Sequence, residues 1–320
     1  MNMADNGTSS GKGQFDAAVR ENRLIGERFY KLKLEFFGEG AEAFEGFRPG
    51  QFAQVDISGT ALPPADSIPD ELRDSAGRDV LLRRPFSFTD VTSDRGRTWA
   101  ELLYCVVGPS TLRMTTLQAG DSLSVIGPLG NGFWVPEGKK TALLVAGGMG
   151  SPPVQCLAKM LAKDYPEITP TAFAGAKRAG DLPFEGRMDE VSREIGFVLK
   201  EFGRHGIESI VATDDGSAGF KGLVTDCMVQ WLTGNSAPRK EMIIYACGPE
   251  AMLAKAAAIA RERGIDCQVS MERRMACGTG ICQSCAVECR VEGSSETVYK
   301  LCCKDGPVFD AREVVFSDRE

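Results

Sequence analysis

Short runs that alternate polar and apolar residues dominate the first part of the chain. Between residues 15 and 57 they include Tyr30-Lys-Leu-Lys-Leu-Glu-Phe and Gln51-Phe-Ala-Gln-Val-Asp-Ile, separated by Gly and Pro. Alternation with a period of two is typical of half-buried antiparallel strands. Further strand-like runs occupy residues 80–82, 100–107 and 120–127, and a short helix is predicted over 110–117. Several short strands at this spacing predict a small antiparallel β-barrel.

The pattern changes after Pro136 to strand, glycine turn and helix. Thr141-Ala-Leu-Leu-Val-Ala is apolar throughout and leads into Gly147-Gly-Met-Gly150 and a helix. Parallel strands that are covered on both faces have such continuous apolar runs. Three more strand-like runs occupy residues 171–174, 209–212 and 242–246, and an alanine-rich helix is predicted over 250–264. This part of the chain predicts an α/β domain with an open parallel sheet.

The two patterns and a cysteine-rich end predict a multidomain chain. We expect an antiparallel β-barrel over residues 14–137, an α/β parallel-sheet domain over 138–265 and a small C-terminal lobe over 266–320. Residues 58–79 interrupt the barrel pattern with Pro, Gly and acidic residues, which predicts an exposed loop.

Composition narrows the compartment and the classes of partner. The 320 residues carry a net charge of −7, and no apolar run approaches the roughly eighteen residues of a membrane helix. We therefore expect neither nucleic acid nor a membrane as a partner. The eleven cysteines and a polar start without an apolar signal region predict the reducing cytoplasm. The single histidine, His205, excludes a Rieske centre, which needs two, and is interpreted as a surface loop residue rather than a catalytic one.

The cysteines near the end of the chain have the spacing of a cluster site. Cys277-x4-Cys282-x2-Cys285 is followed by the pair Cys302 and Cys303. This spacing is typical of a plant-type 2Fe-2S site, in which four thiolates hold two irons and small residues let a tight loop wrap them. Structural zinc sites present paired Cys-x2-Cys knuckles and match less well. Buried or disulfide-bonded cysteines are the weakest alternative.

A second set of motifs suits a flavin. Arg83-Arg-Pro-Phe-Ser-Phe88 stands at a strand end, where an arginine fork matches a diphosphate and a serine hydroxyl suits the redox-active edge of a flavin. On its own the motif also fits a solvent-exposed strand end. Val107-Gly-Pro-Ser-Thr111 and Gly127-Pro-Leu-Gly-Asn-Gly-Phe133 strengthen the flavin interpretation, because glycine turns carry backbone close to a planar ligand.

Three strand ends in the α/β part suit a dinucleotide. Gly147-Gly-Met-Gly150 precedes a helix N-terminus, whose N–H groups form an anion site, although it departs from G-x-G-x-x-G and also fits a tight turn without a ligand. Cys247-Gly-Pro-Glu250 lies at another such junction; a buried small thiol before a proline-started helix is the alternative. Asp214, in Thr213-Asp-Asp-Gly-Ser217, serves ribose hydroxyls or solvates a loop.

Together these motifs resemble the electron-transfer subunit of class B dihydroorotate dehydrogenases, within the ferredoxin-reductase superfamily, over nearly the whole chain. The resemblance implies an FAD-binding barrel, an NAD-binding α/β domain and a 2Fe-2S lobe. It implies the cluster ligands Cys277, Cys282, Cys285 and Cys303, because the family's fourth cysteine precedes x-Asp-Gly-Pro-Val-Phe. Cys289 and Cys302 are then spare.

The motifs and the resemblance also assign the cofactor-binding residues. They are Arg84, Pro85, Phe86, Ser87, Val107, Gly108, Ser110, Thr111, Gly147, Gly148, Gly150, Asp214, Cys247, Gly248 and Pro249. Cys247 is placed near the nicotinamide, and no side chain is assigned as a catalytic acid or base. The chain departs from the family in three places: an insertion at residues 58–79, Ser110 in place of glycine, and the loosely matching residues 174–190. The insertion is either a solvated excursion or a surface used in a subunit contact.

The resemblance implies an electron relay in pyrimidine biosynthesis. Electrons from an FMN-containing dihydroorotate dehydrogenase catalytic subunit pass through the cluster and FAD to NAD, in a heterotetramer with two copies of each chain. The substrate needs a separate barrel of roughly 250 residues, for which this chain has no residues left. The flavin subunit of a soluble hydrogenase or ferredoxin-dependent transhydrogenase shares this layout and is an alternative. A redox-sensing cluster-binding protein is an alternative of another class and predicts no nicotinamide oxidation.

Overall fold

The computed structural model describes residues 11–185 and 199–316. Most of the polar start and part of the loosely matching 174–190 segment lie outside the described residues. Within these ranges no helix has the length and apolar character needed to cross a bilayer.

The first part of the chain forms the expected barrel. Its strands and helices are β1 Gly13–Leu24, β2 Phe29–Phe37, α1 Gly38–Glu45, β3 Phe52–Val55, α2 Arg73–Ala76, β4 Arg84–Asp94, β5 Arg97–Cys105, α3 Pro109–Met114 and β6 Ser122–Leu129. The strands close in the order β1-β2-β5-β4-β3-β6, each pair antiparallel. Alternate residues such as Leu32, Leu34 and Phe36 fill the barrel core, as the period-two pattern of the sequence predicts.

The prediction of a strand at residues 80–82 is wrong. β4 begins only at Arg84, and although Val80 is buried, Leu81 is 86% exposed and Leu82 is 50% exposed. A run of three apolar residues resembles a strand locally, but here no neighbouring strand pairs with it. The preceding loop contains α2 and two single helical turns at residues 65–67 and 70–72, and most of its side chains are exposed.

The rest of the chain forms a seven-stranded sheet, its helices and a hairpin. The elements are β7 Thr141–Gly147, α4 Ser151–Asp164, β8 Thr169–Ala176, α5 Lys200–Gly203, β9 Glu208–Thr213, β10 Phe220–Lys221, α6 Val224–Gly234, β11 Met242–Cys247, α7 Glu250–Arg263, β12 Asp266–Ser270, β13 Ala286–Arg290, β14 Thr297–Leu301 and β15 Val308–Asp310. The sheet order is β10-β9-β8-β7-β11-β12-β15, parallel except for β15. The predicted α/β domain is confirmed.

The cysteine-rich segment begins and ends in this sheet. Ser270 of β12 pairs with Val308 of β15, and the N–H of Met271 donates to the carbonyl of Pro307 at 2.8 Å. Between these strands lie the cysteine loop and the β13–β14 hairpin. The lobe is therefore an excursion from the edge of the sheet. The boundaries 14–137, 138–265 and 266–320 stay predictions.

Buried ion pairs join the barrel to the α/β domain. Lys31 of β2 is 4% exposed, and its Nζ lies 2.6 Å from Glu185, 3.5 Å from Glu101 and 3.6 Å from Glu201. Arg23 of β1 lies 2.6 Å from the same Glu185 oxygen. Burial raises the pKa of Glu185, but the hydrogen bonds from Arg23 and Lys31 outweigh it and lower the pKa to about 2. The charged form of Glu185 is thus tied to the packing of the two domains.

We expect Glu185→Gln to destabilise the protein in a pH-dependent way. The folded-state pKa lies below the ordinary value of 4.5, so the carboxylate stabilises the fold above roughly pH 5, and this contribution is lost as the pH falls toward 2. Urea unfolding should show a stability difference from the wild type at neutral pH that shrinks between roughly pH 5 and 3. Glu208→Gln, at an exposed position in β9, is the matched control. A difference that stays constant across this range contradicts the assignment.

Candidate functional site

A cavity of about 810 Å³ opens between the barrel and the sheet. It lies at the carboxyl ends of β7 and β11, where the strand order reverses, since β8 flanks β7 on one side and β11 flanks it on the other. In open α/β sheets such a switch point is where ligands bind. The cavity is lined by all of the predicted cofactor-binding residues except Arg84, Gly108 and Ser110.

The two arginines of the first motif point to different surroundings. Arg83 donates to the carbonyl of Ser124 at 2.7 Å and lies 3.4 Å from Asp56, so its charge is engaged on the barrel. Arg84 donates to the carbonyl of Leu82 at 2.7 Å and has no carboxylate partner among the described residues. It lines a second cavity of about 490 Å³ that shares lining residues with the first. Arg84 is therefore the arginine available to an anionic group.

Gly108 and Ser110 shape the turn that carries their neighbours. The Thr111 hydroxyl oxygen accepts the N–H of Val107 at 3.0 Å and that of Gly108 at 3.2 Å, at the start of α3. Ser110 is buried in the first turn of that helix. The turn presents Val107 and Thr111 to the cavity, while Gly108 and Ser110 support it.

The glycine turn after β7 brings two strand ends close together. A Cβ at Gly150 would lie 2.1 Å from the carbonyl oxygen of Cys247, a distance that only glycine avoids. The helix α4 begins immediately afterwards, with Pro in its first turn. The unpaired N–H groups of a helix N-terminus attract anions, so the turn fits a diphosphate.

Cys247 at the end of β11 and Asp214 just after β9 both line the cavity, although two strands separate them in the sheet. Burial raises the pKa of Cys247 to about 12, so its thiol is neutral at physiological pH. Asp214 follows β9 and is exposed at the cavity rim, where its carboxylate suits ribose hydroxyls. The donor set thus fits a flavin and a nicotinamide dinucleotide side by side.

The cysteine loop directs backbone N–H groups at sulfur. The N–H groups of Thr279 and Cys282 each lie 3.4 Å from the Cys277 sulfur, and the N–H of Cys303 lies 3.5 Å from the Cys285 sulfur. Slight burial raises the pKa of Cys277, but the N–H groups of Cys282 and Thr279 outweigh it and lower the pKa to about 6. Such bonds stabilise thiolates, which are the ligands of an iron-sulfur cluster, so the loop fits one.

The neighbouring Cys302 and Cys303 have different roles in the fold. The Cys302 thiol is fully buried and donates to the carbonyl of Met271 at 3.2 Å, away from the loop. Burial and the neighbouring Cys285 raise the pKa of Cys303 to about 12, so a metal must displace its proton on binding. Cys289 lies buried within β13. The contact of Cys303 with Cys285 supports Cys303 as the fourth ligand.

Two residues at the site were missed from the sequence. Gln54 of β3 is fully buried against the cysteine loop, and Arg273 forms a bidentate pair with Glu250 at 3.0 and 3.2 Å beside the second cavity. Gln54 stands in an alternating strand pattern, where a polar residue signals only a solvent-facing position. The covering loop comes from more than 200 residues away in the sequence, so no local signal reveals it.

Two family models match the chain. Residues 272–315 match the iron-sulfur cluster binding domain of dihydroorotate dehydrogenase B, and residues 144–258 match the oxidoreductase NAD-binding domain. Both matches fall on the segments that carry the cysteine loop and the parallel sheet. They support an iron-sulfur cluster and NAD as cofactors of this fold.

Relatives match over nearly their full length. The chain is 37% identical over 306 residues to the electron transfer subunit of dihydroorotate dehydrogenase B (NAD(+)) from Bacillus caldolyticus, covering 95% of this chain and 99% of that protein. It is 35% identical over 301 residues to the Fusobacterium nucleatum subunit of the same name, covering 93% and 97%.

Solved structures share the architecture. The structure of an NADH-dependent reduced ferredoxin-NADP oxidoreductase has a TM-score of 0.69 and 26% identity, covering 94% of this chain and 90% of that chain. An Amycolatopsis cytochrome P450 reductase has a TM-score of 0.55 and 22% identity, covering 79% and 68%, which shows the fold alone.

Serine substitutions should separate the two adjacent cysteines. We expect Cys303→Ser to remove or destabilise the cluster, since it deletes a sulfur ligand that faces Cys285. Cys302→Ser, the matched control, should keep near-normal iron content, because that side chain bonds to a backbone carbonyl. Iron analysis and the visible spectrum decide, and reversed results would show that the ligand assignment is wrong.

Alanine substitutions should separate the two arginines. We expect Arg84→Ala to weaken FAD binding by roughly tenfold or more, because a charge-assisted hydrogen bond to a diphosphate is lost. Arg83→Ala should retain FAD, since Arg83 is bonded to Ser124. FAD titration of the two variants measures this, and equal affinities would count against the placement.

Proposed function

Because the chain belongs to the family of dihydroorotate dehydrogenase B electron transfer subunits, we propose that it carries electrons from a dihydroorotate-oxidising catalytic subunit to NAD. The path runs through a 2Fe-2S cluster at Cys277, Cys282, Cys285 and Cys303 and through FAD at the cavity between barrel and sheet. The reaction belongs to pyrimidine biosynthesis and takes place in the cytoplasm.

The position of the cysteine loop supports this proposal most directly. One side of the loop packs against β3 of the barrel, where Gly278 contacts Gln54, and Met275 at the start of the loop lines the main cavity. The other side faces outward, with Cys282 exposed and Ile281 82% exposed. Cys277, Cys282, Cys285 and Cys303 would hold a cluster between this exposed side and the barrel, where it would pass single electrons. This two-sided placement suits a relay.

Residues of this chain bind and orient the cofactors. FAD, when bound, exchanges hydride with nicotinamide and single electrons with a cluster. Arg84 and the N-terminus of α4 supply positive charge for diphosphates, and Ser87 supplies a hydroxyl on the cavity wall. The relay needs no acid or base from the chain, and His205 lies in the turn after α5, outside the cavity lining.

The oxidation of dihydroorotate requires a second chain. The described residues are accounted for by the small barrel, the α/β sheet and the cysteine excursion, and a flavin substrate barrel needs roughly 250 residues. We assign that role to an FMN-containing catalytic subunit, in a heterotetramer with two copies of each chain. The exposed Leu81 and Leu82, directly after the 58–79 loop, support the use of that loop in a subunit contact.

A second candidate function is that of the flavin subunit of a ferredoxin-dependent transhydrogenase. It is supported by the 26% identity to the NADH-dependent reduced ferredoxin-NADP oxidoreductase over 94% of this chain. The two candidates differ in the electron donor, so NAD reduction is measured with reduced ferredoxin as donor and, separately, with dihydroorotate and the FMN-containing subunit.

We expect the isolated holoprotein to oxidise NADH with artificial one-electron acceptors, because the flavin and nicotinamide sites share one cavity. It should show no dihydroorotate oxidation until the FMN-containing subunit is added, after which NAD should be reduced. The absorbance of NADH measures both activities: it falls with the artificial acceptors, and it rises when NAD is reduced with dihydroorotate as substrate.

The cluster-deficient Cys303→Ser variant is the control for the relay. It should keep NADH oxidation by a hydride-accepting dye but lose coupling to the FMN subunit. Dihydroorotate oxidation by this chain alone, wild-type coupling in the cluster-deficient variant, or coupling only to reduced ferredoxin would each contradict the proposed function.

A further inference from the structure

Gln54 is a buried amide without hydrogen-bond partners. The side chain is 0% exposed, and neither Oε1 nor Nε2 has a partner among the described residues. A buried amide without partners has lost its hydrogen bonds to water and gained none in return, and for that reason most buried polar groups are paired. An amide of this kind therefore marks a place where a group outside the polypeptide completes the hydrogen bonding.

The strand places Gln54 on the face of the barrel that the cysteine lobe covers. Ala53 and Val55 point into the barrel core, so Gln54 shares the opposite face with Phe52. Phe52 lines the main cavity and packs in the same hydrophobic core as Cys285 and Cys303. Gln54 also pairs with Pro85 of β4, within the flavin-binding motif.

The amide of Gln54 rests on the cysteine loop itself. A Cβ at Gly278 would lie 2.5 Å from Nε2 and 2.9 Å from Cδ of Gln54. Gly278 has a φ of +71°, so glycine is required both by the backbone and by the contact. It directly follows Cys277, whose sulfur already accepts two backbone N–H groups.

We propose that Gln54 is a positioning residue that donates its Nε2–H to the sulfur side of the cluster at Cys277 and thereby raises the reduction potential of the cluster. This inference rests on the proposed function. Thiolate and sulfide sulfur only accept hydrogen bonds, so the donor end of the amide faces the loop. A reduced cluster carries one more negative charge than an oxidised one, so a donor aimed at its sulfur stabilises the reduced form. Gln54 thus helps set the direction of electron transfer between the cluster and the cavity.

The substitution Gln54→Met tests this, because methionine has a similar length and no donor. At an ambient potential equal to the wild-type midpoint, we expect the oxidised-to-reduced ratio of the cluster to rise about tenfold, equivalent to about 59 mV for one electron. Redox titration of the holoprotein, followed by electron paramagnetic resonance of the reduced cluster, measures the ratio. Iron and FAD content are measured on the same samples.

Gln155→Met is the matched control. Gln155 is also a buried glutamine with an unpaired carbonyl oxygen, but it lies in α4, where its Nε2 donates to Ser151. Its substitution should leave the cluster potential unchanged. A shift of the same size in both variants would overturn the proposal, because it would report a general loss of packing.

An unchanged or higher cluster potential in Gln54→Met with full iron content would overturn the proposal. If that variant loses iron, Gln54→Leu decides, since it also removes the donor and introduces no titratable group; the potential must then fall, and an unchanged value is again contrary. The proposed function is tested separately by coupling of the wild type to the FMN subunit. A normal coupling with an unchanged potential rejects only the role of Gln54, whereas a lowered potential without coupling rejects only the partner.

Discussion

The pairing of β12 with β15 fixes the position of the cysteine loop relative to the rest of the protein. Ser270 and Val308 are register partners in the outer strands of the nucleotide sheet, and the whole cysteine excursion leaves and returns at this point. On its other side Gly278 packs against Gln54 of the barrel. A slip of one residue in the register would reverse the faces of the short edge strand and displace the loop from the barrel. The relative placement of the cluster and the cavity therefore depends on a few backbone hydrogen bonds at a sheet edge.

The second constraint is electrostatic and acts between the barrel and the α/β domain. Lys31 is buried among three carboxylates, and one of them, Glu201, is itself 2% exposed with an unpaired oxygen. Removal of one partner from such a group leaves a buried charge uncompensated, which costs more than the pair contributes. Lys159 of α4 makes a further contact to Asp90 of β4. These pairs favour one relative orientation of the two domains, and that orientation shapes the cavity between them.

Sequence patterns predicted those elements whose burial follows from their own residues. The runs that became β7 and β11 are almost entirely apolar because helices or other domains cover both faces of the sheet. The same signal failed at residues 80–82, where no strand is adjacent. Lys31 and Gln54 were also beyond local prediction, because alternation places both on the outer face of the barrel. That face is covered by another domain at each position, so its polar residues become buried partners instead of solvated ones.

Both parts of the site lie between folding units rather than within one. The main cavity needs β4 from the barrel and the ends of β7 and β11 from the sheet, and the cysteine loop needs the sheet edge and β3. A ligand that binds only the assembled arrangement stabilises that arrangement by mass action, so cofactor binding and domain packing are coupled. Deleting residues from 266 onward would remove β12 and uncover β11, so the cluster cannot be separated from the nucleotide site by truncation at that boundary. Substitutions in the loop, which leave the sheet intact, are therefore the cleaner way to separate electron transfer from hydride transfer.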